Sequence, residues 1–328
     1  DPCSGDSCFI GGNVATNAGG NKAVKYGTTR HQVYQIEVVT HTGEITKLGS
    51  RIKKSTTGYC LDQLVIGSEG TLGIITTMTL KLVPLPEHVM DLLAVFPDID
   101  SAIAFIPVIS KAGITPTCIE FMDNVAIRCV ENFTKEKLPY DENGNYLIFQ
   151  VEAESEEKLE DIAAIMDELA TNNGALALLV PNSAQIWKAR KSFAEAVRHE
   201  TLTHSNEDIV VPIDKMPEVM RYMSSICEKH GAAARTVSHA GDGNIHLSIL
   251  QGSIPDNEWI ERLSKIHHEI FDRVYPIGGK LSGEHGIGYK KKALMQEYTD
   301  PVELNLMRAV KKAWDPNLIL NPGKVFDV

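Results

Sequence analysis

Ser238-His239-Ala240-Gly241-Asp242-Gly243-Asn244-Ile245-His246 reads as two strand ends joined by a tight turn. If Asp242-Gly243 forms a two-residue type I′ turn, residues 241 and 244 close it, 240 faces 245, and His239 stands directly opposite His246. Directly opposed side chains have Cβ atoms about 4.5–5.5 Å apart, close enough for two ring nitrogens to converge on one cation. Ser282-Gly283-Glu284-His285-Gly286 supplies a third ligand type in Glu284, held in a glycine-bracketed loop, and leaves His285 for proton transfer. Two histidines and a carboxylate leave coordination positions open for substrate, and zinc, manganese and iron(II) all accept that set. The chain holds 11 histidines, and a strand histidine is also commonly a core residue satisfied by one hydrogen bond, so the spacing admits both readings.

Outward from the hairpin, the sequence alternates strand-like and helix-like stretches. Met90 to Phe96 reads as a strand, 100–111 as a helix and Pro116 to Phe121 as a strand. Tyr146 to Val151, 154–173 and Ala175 to Val180 repeat that order, as do Ile209 to Val211, 215–230 and the hairpin. Short strands with intervening amphipathic helices predict an α+β layer, an antiparallel sheet with helices on one face, rather than a doubly wound parallel sheet. A single helix is expected over 183–202, carrying Trp187, Arg190 and Arg198, and another over 300–314. Val83-Pro84-Leu85-Pro86 breaks helix and central strand alike and marks a domain boundary.

Before that boundary lie two glycine-rich stretches, Ile10-Gly11-Gly12-Asn13-Val14-Ala15-Thr16-Asn17-Ala18-Gly19-Gly20 and Gly67-Ser68-Glu69-Gly70-Thr71-Leu72-Gly73. Between and after them, Val33 to Thr40 and Gly73 to Leu82 read as strands, and helices look scarce. Such loops can present backbone N–H groups to a pyrophosphate, or can simply be tight turns. No GxGxxG or Walker motif is present.

The chain has 328 residues, 43% hydrophobic and 23% charged, enough for about two globular domains. A net charge of -11 argues against a nucleic-acid surface, so an anionic substrate must be met by a local cation such as Arg190. Six cysteines show no CxxC pair, which points to a reduced, cytoplasmic setting. No apolar run approaches the roughly 20 residues of a membrane span.

Taken in order, Ile10 to Gly20, Lys25-Tyr26-Gly27, Gly67 to Thr76, Trp187 to Arg190, Val211-Pro212, His239 to His246, Gly283 to Gly288 and Asn321-Pro322-Gly323-Lys324 resemble the FAD-linked oxidases of the vanillyl-alcohol oxidase type. The resemblance is to the D-lactate dehydrogenase, glycolate oxidase D-subunit and D-2-hydroxyglutarate dehydrogenase branch. It implies the second part of an FAD-binding domain over 1–86, its first part lying outside this chain, a substrate or cap domain over 87–296, and a segment, 297–328, returning to the flavin. It assigns FAD contacts to Gly11, Gly12, Asn13, Thr16, Asn17, Glu69, Gly70, Gly73, Ile75 and Asn321. It places a divalent metal on His239, His246 and Glu284, the catalytic base at His285 and the substrate carboxylate on Arg190.

The chain opens at Asp1-Pro2 as though within a domain, so flavin is expected to be held weakly by this chain alone. Ala194 and Asn206 stand where dicarboxylate-specific relatives carry polar or basic side chains, which favours a monocarboxylate such as D-lactate or glycolate. The implied reaction is FAD-dependent oxidation of a small D-2-hydroxy acid to the 2-oxo acid, with hydride passing to flavin N5. An electron-transfer flavoprotein or an iron-sulfur subunit is the implied partner. Two other readings of the same residues are a metal-dependent hydrolase and a non-catalytic subunit that docks an electron-transfer partner.

Overall fold

The computed structural model describes residues 2–140 and 143–328. The chain forms two compact units, Asp1–Pro84 with Leu281–Val328, and Leu85–Lys280. The first break falls inside Val83-Pro84-Leu85-Pro86. The second falls at 280/281 rather than 296/297, because the loop from 282 to 288 is bonded into the first unit, as described below.

The first unit opens with helices α1 (Ile10–Thr16) and α2 (Ala23–Tyr26) and strands β1 (Val33–Val39) and β2 (Ile45–Gly49), followed by helix α3 (Leu61–Val65) and strand β3 (Ile74–Leu80). The strands make an antiparallel sheet in the order β2-β1-β3. The first glycine-rich stretch, expected as a loop, is helical over Ile10–Thr16 and ends on Asn17 in the left-handed region at φ 53°. Two glycines oppose a helix by about 1 kcal/mol each. Tertiary packing overrides them: Val14 is fully buried with Ile36, Val38, Val65 and Ile66, and the carbonyls of Val14 and Ala15 accept from Gly67 and Glu69.

In the second unit the elements run β4 (His88–Phe96), α4 (Ile99–Lys111), β5 (Cys118–Met122), α5 (Asn124–Thr134), β6 (Asn145–Ala153), α6 (Glu156–Asn172), β7 (Ala177–Leu179), α7 (Ser183–Lys191), α8 (Phe193–Glu200), β8 (His204–Val210), α9 (Met216–Lys229), β9 (Ala233–His239), β10 (Asn244–Leu250) and α10 (Trp259–Val274). The seven strands form one sheet in the order β7-β4-β6-β5-β9-β10-β8, with every neighbouring pair antiparallel. The expected helix over 183–202 is two helices meeting at Ser192. Its buried positions, Ile186, Ala189, Arg190, Phe193, Ala196 and Val197, keep a three- and four-residue spacing, so one face stays buried across the break.

Strand side chains alternate between faces, and the register therefore sorts them. Leu92 pairs with Phe149, and Phe105 of α4 stacks on Phe149 and Phe96, which places α4 on that face. On the opposite face Leu93, Val95, Met122, Tyr146, Ile148 and Val237 pack with α5, α7 and α8. The antiparallel layer is the expected one, with this second helical layer added. Its three helices matter because the functional side chains project on their side.

The chain then re-enters the first unit, with α11 (Lys292–Tyr298) and α12 (Pro301–Trp314). Val310 and Trp314 of α12 pack on the Val14–Ile36 core.

Candidate active site

The hairpin of the second unit differs from expectation by two residues of register. His239 pairs with Asn244, and His246 pairs with Val237, so four residues, 240–243, form the turn. A shift of two residues preserves the face, and His239 and His246 become diagonal neighbours instead of opposed ones. Their rings lie 4.9 Å apart, edge to face.

The same parity gathers further polar groups. Glu120 of β5 pairs with Ile148 on one side and with His239 on the other, so its side chain projects with theirs. Asp208 and Asn206 of β8 pair with His246 and Ser248 of β10, again on that face. Arg190 arrives from α7, in the helical layer that covers this face.

Glu120 is the centre of the cluster and is fully buried. Its Oε1 accepts from Nδ1 of His239 at 2.5 Å, and its Oε2 lies 2.7 Å from a terminal guanidinium nitrogen of Arg190. Burial opposes the charge on Glu120, but His239 and Arg190 outweigh it and hold the carboxyl below its ordinary range. The neighbouring Cys118 thiol donates to Glu120 over 3.7 Å and is pushed up by burial and by that carboxylate, which keeps it protonated. On β8, Asp208 accepts from Nδ2 of Asn244 at 2.6 Å. A metal-ligating histidine commonly donates its other ring nitrogen to a carboxylate, and His239 has that arrangement, so coordination through it would use Nε2. His239 and His246 are ligand types that a divalent cation accepts.

In the first unit, Glu69 at φ 54° directs its carboxylate to the backbone N–H groups of Ile287 and Gly288, each at 2.7 Å. Gly286, at φ 81°, is held so close to that carboxylate that a Cβ would sit 2.7 Å from Oε1. This clamp fixes the loop carrying Glu284 and His285. Glu284 is mostly buried, packed against Gly19, while His285 is exposed, its Nε2 3.5 Å from Oε1 of Glu284. Asn321 donates through Nδ2 to the carbonyl of Glu69.

The residues expected to contact FAD divide into two sorts. Asn17 Oδ1 accepts from the N–H of Arg30 and the hydroxyl of Thr28, Asn13 Nδ2 reaches Cys8, and Thr16 bonds back to the Gly12 carbonyl. Ile75 packs on the core, and a Cβ at Gly73 would strike Val38 at 2.3 Å. These side chains and Gly73 have structural work of their own. At Gly11 and Gly12 a Cβ would meet nothing within 4 Å, so internal packing does not demand glycine there. Close approach of a cofactor to bare backbone is a use that fits them.

Glu120 escaped the sequence reading, although a charge at the centre of Cys118-Ile119-Glu120-Phe121-Met122 is itself a signal. Asp208 escaped it too, because only the register puts it opposite His246. Lys311 and Asp315, four residues apart on or just beyond α12, form a buried pair. Lys311 Nζ also donates to the carbonyls of Thr71 and Leu320, tying the second glycine-rich stretch to the C-terminal segment.

Residues 85–325 match the family model described as FAD linked oxidases, C-terminal domain, and residues 1–49 match that described as FAD binding domain. The chain is 38% identical to a D-lactate dehydrogenase of Anaerostipes hadrus, over 96% of this chain and 68% of that one. It is 34% identical to the glycolate oxidase subunit GlcD of Bacillus subtilis, over 99% and 70% respectively. Among solved structures it is similar to an alkyldihydroxyacetonephosphate synthase, with a TM-score of 0.70 at 20% identity, covering 98% of this chain and 58% of that one. An α+β chain with these matches belongs to the FAD-linked oxidases, and so to the flavin-dependent oxidoreductases.

Proposed function

We propose that this chain takes part in the FAD-dependent oxidation of a small D-2-hydroxy acid, D-lactate or glycolate in kind, to the 2-oxo acid. The observation that carries the reading is the cluster in which His239 and His246 lie side by side while Arg190 shares the Glu120 carboxylate with His239. Relatives named D-lactate dehydrogenase and glycolate oxidase subunit support the substrate class.

In this reading His239, His246 and Glu284 hold a divalent metal, and Gly11, Gly12, Asn13, Thr16, Asn17, Glu69, Gly70, Gly73, Ile75 and Asn321 border the FAD. When bound, the cation supplies Lewis acidity that makes a hydroxyl easier to deprotonate, and FAD supplies a hydride acceptor at N5. His285 takes the hydroxyl proton as general base. Arg190 orients the substrate through its carboxylate, a task suited to a planar guanidinium. Neutral Ala194 and Asn206 favour a substrate with one carboxylate over a dicarboxylate.

The test is anaerobic reduction of the flavin by D-lactate in the FAD-loaded protein. His285→Ala should slow reduction at least 100-fold, the scale of general-base catalysis, at unchanged flavin content. Reduction at the wild-type rate would reject the assignment.

A further inference from the structure

We propose that Glu120 is a positioning residue that ties the substrate anchor Arg190 to the metal ligand His239. The inference rests on the roles given to those two residues in the proposed function. It concerns a side chain that neither the family resemblance nor the hairpin spacing had singled out.

Glu120 sits mid-strand among apolar neighbours, opposite His239 in register, with none of its side chain reaching solvent. A buried ion pair is a poor stabiliser, since well-packed apolar side chains in its place are often neutral or better. Stability therefore gives little account of a carboxylate here. Its contacts give a better one: Oε1 accepts a hydrogen bond from the imidazole, and Oε2 forms an ion pair with the guanidinium.

Two consequences follow from that division. An acceptor at Nδ1 requires the ring proton there, which makes Nε2 the basic nitrogen and fixes the ring plane. The same carboxylate holds the guanidinium charge beside it through the ion pair. A rotation of the carboxylate that improves one contact disturbs the other, so the His239 and Arg190 geometries are not independent. Binding events at the two residues must then be coupled, and the coupling is reciprocal.

Glu120→Gln replaces one oxygen by an amide nitrogen of the same size, which cannot accept from either partner. The probe is Zn²⁺ alone, titrated against a competing chelator in the folded full protein. Loss of an outer-sphere carboxylate lowers metal affinity by about 10–100-fold, and the KM for D-lactate should rise in the same variant. Arg190→Lys, a change at the other partner of Glu120, should also lower Zn²⁺ affinity in the wild-type background, and should have no further effect in the Glu120→Gln background. A merely structural role would give additive losses. If Glu120→Gln does not fold, unchanged Zn²⁺ affinity in Arg190→Lys overturns the inference by itself.

His239→Ala separates the two claims. If it binds Zn²⁺ like the wild type, His239 is not a ligand, and both the assignment and the inference fall. If it loses Zn²⁺ while Glu120→Gln keeps wild-type affinity, the ligand assignment stands and the inference alone fails.

Discussion

Glu69 and Glu120 are two inward-facing carboxylates with opposite kinds of partner. Glu69, in the first unit, accepts from two backbone N–H groups, so what it fixes is the course of a loop's backbone. Glu120, in the second, meets the side chains of His239 and Arg190, so it fixes an orientation and a tautomer. A backbone clamp is indifferent to sequence at the residues it holds. A side-chain clamp is specific to them, and its loss leaves a charge behind.

That difference sets the largest expected effect. Glu120→Ala removes one member of a buried ion pair with Arg190, itself 5% exposed, and breaking such a pair costs about 3–5 kcal/mol. Glu69→Ala leaves two N–H groups in a part-buried loop that water can reach, costing about 1–3 kcal/mol. Urea denaturation of both variants measures the contrast. A larger loss for Glu69→Ala would mean that the loop, not the side-chain cluster, is the costlier element to break.

The same contrast separates glycines. Gly286→Ala forces a Cβ onto Oε1 of Glu69 at a left-handed residue, a strain of about 1–3 kcal/mol that also displaces the loop of His285. Gly11→Ala meets nothing and exchanges a poor helix former for the best one, so folding should be unchanged or improved by up to about 1 kcal/mol. If Gly11 borders FAD, the variant should nonetheless release flavin more readily, as read by flavin absorbance after gel filtration. Tighter flavin retention in Gly11→Ala would count against that border.

What the sequence made legible was governed by local periodicity. Most strands of the second unit and helices α4, α6, α9 and α12 stand within a few residues of expectation, since their apolar spacing and caps such as Asp98 and Ser155 are local signals, while β8 starts at His204 rather than Ile209. The face shared by His239 and His246 was legible because period two survives a two-residue slip in register, even though the turn itself was misjudged. Helix α1 was not legible, because its glycines argue against it and only the burial of Val14 reverses the balance. Helices α5, α10 and α11 passed unread. The partners of the Glu120 and Glu69 carboxylates lie up to 119 and 219 residues away, and no spacing rule reaches that far. For the same reason the segment 281–296 was grouped with the cap rather than with the first unit.

The smallest effects come from two aspartates of opposite sign, one in each unit. Burial pushes Asp123, the N-cap of α5, up to about 6, against the pull of the Ala126 N–H and of Arg235. A carboxyl raised on folding favours the folded state below its unfolded value near 3.8, and that contribution is lost as pH climbs to about 6. Asp123→Asn keeps a good cap and removes the slope, so it should gain on the wild type between pH 4 and pH 6 by on the order of 1–2 kcal/mol. Burial also opposes the charge on Asp315, but there Lys311 and the N–H groups of Leu320 and Ile319 outweigh it and hold the carboxyl below its usual range. Its contribution is fully present above the unfolded value near 3.8 and is lost as pH falls through the lower folded value. Asp315→Asn should therefore be less stable than the wild type at neutral pH and converge on it in acid. Urea midpoints across pH decide the matter, because parallel curves for the two variants would show that their environments do not differ in the way the bonding implies.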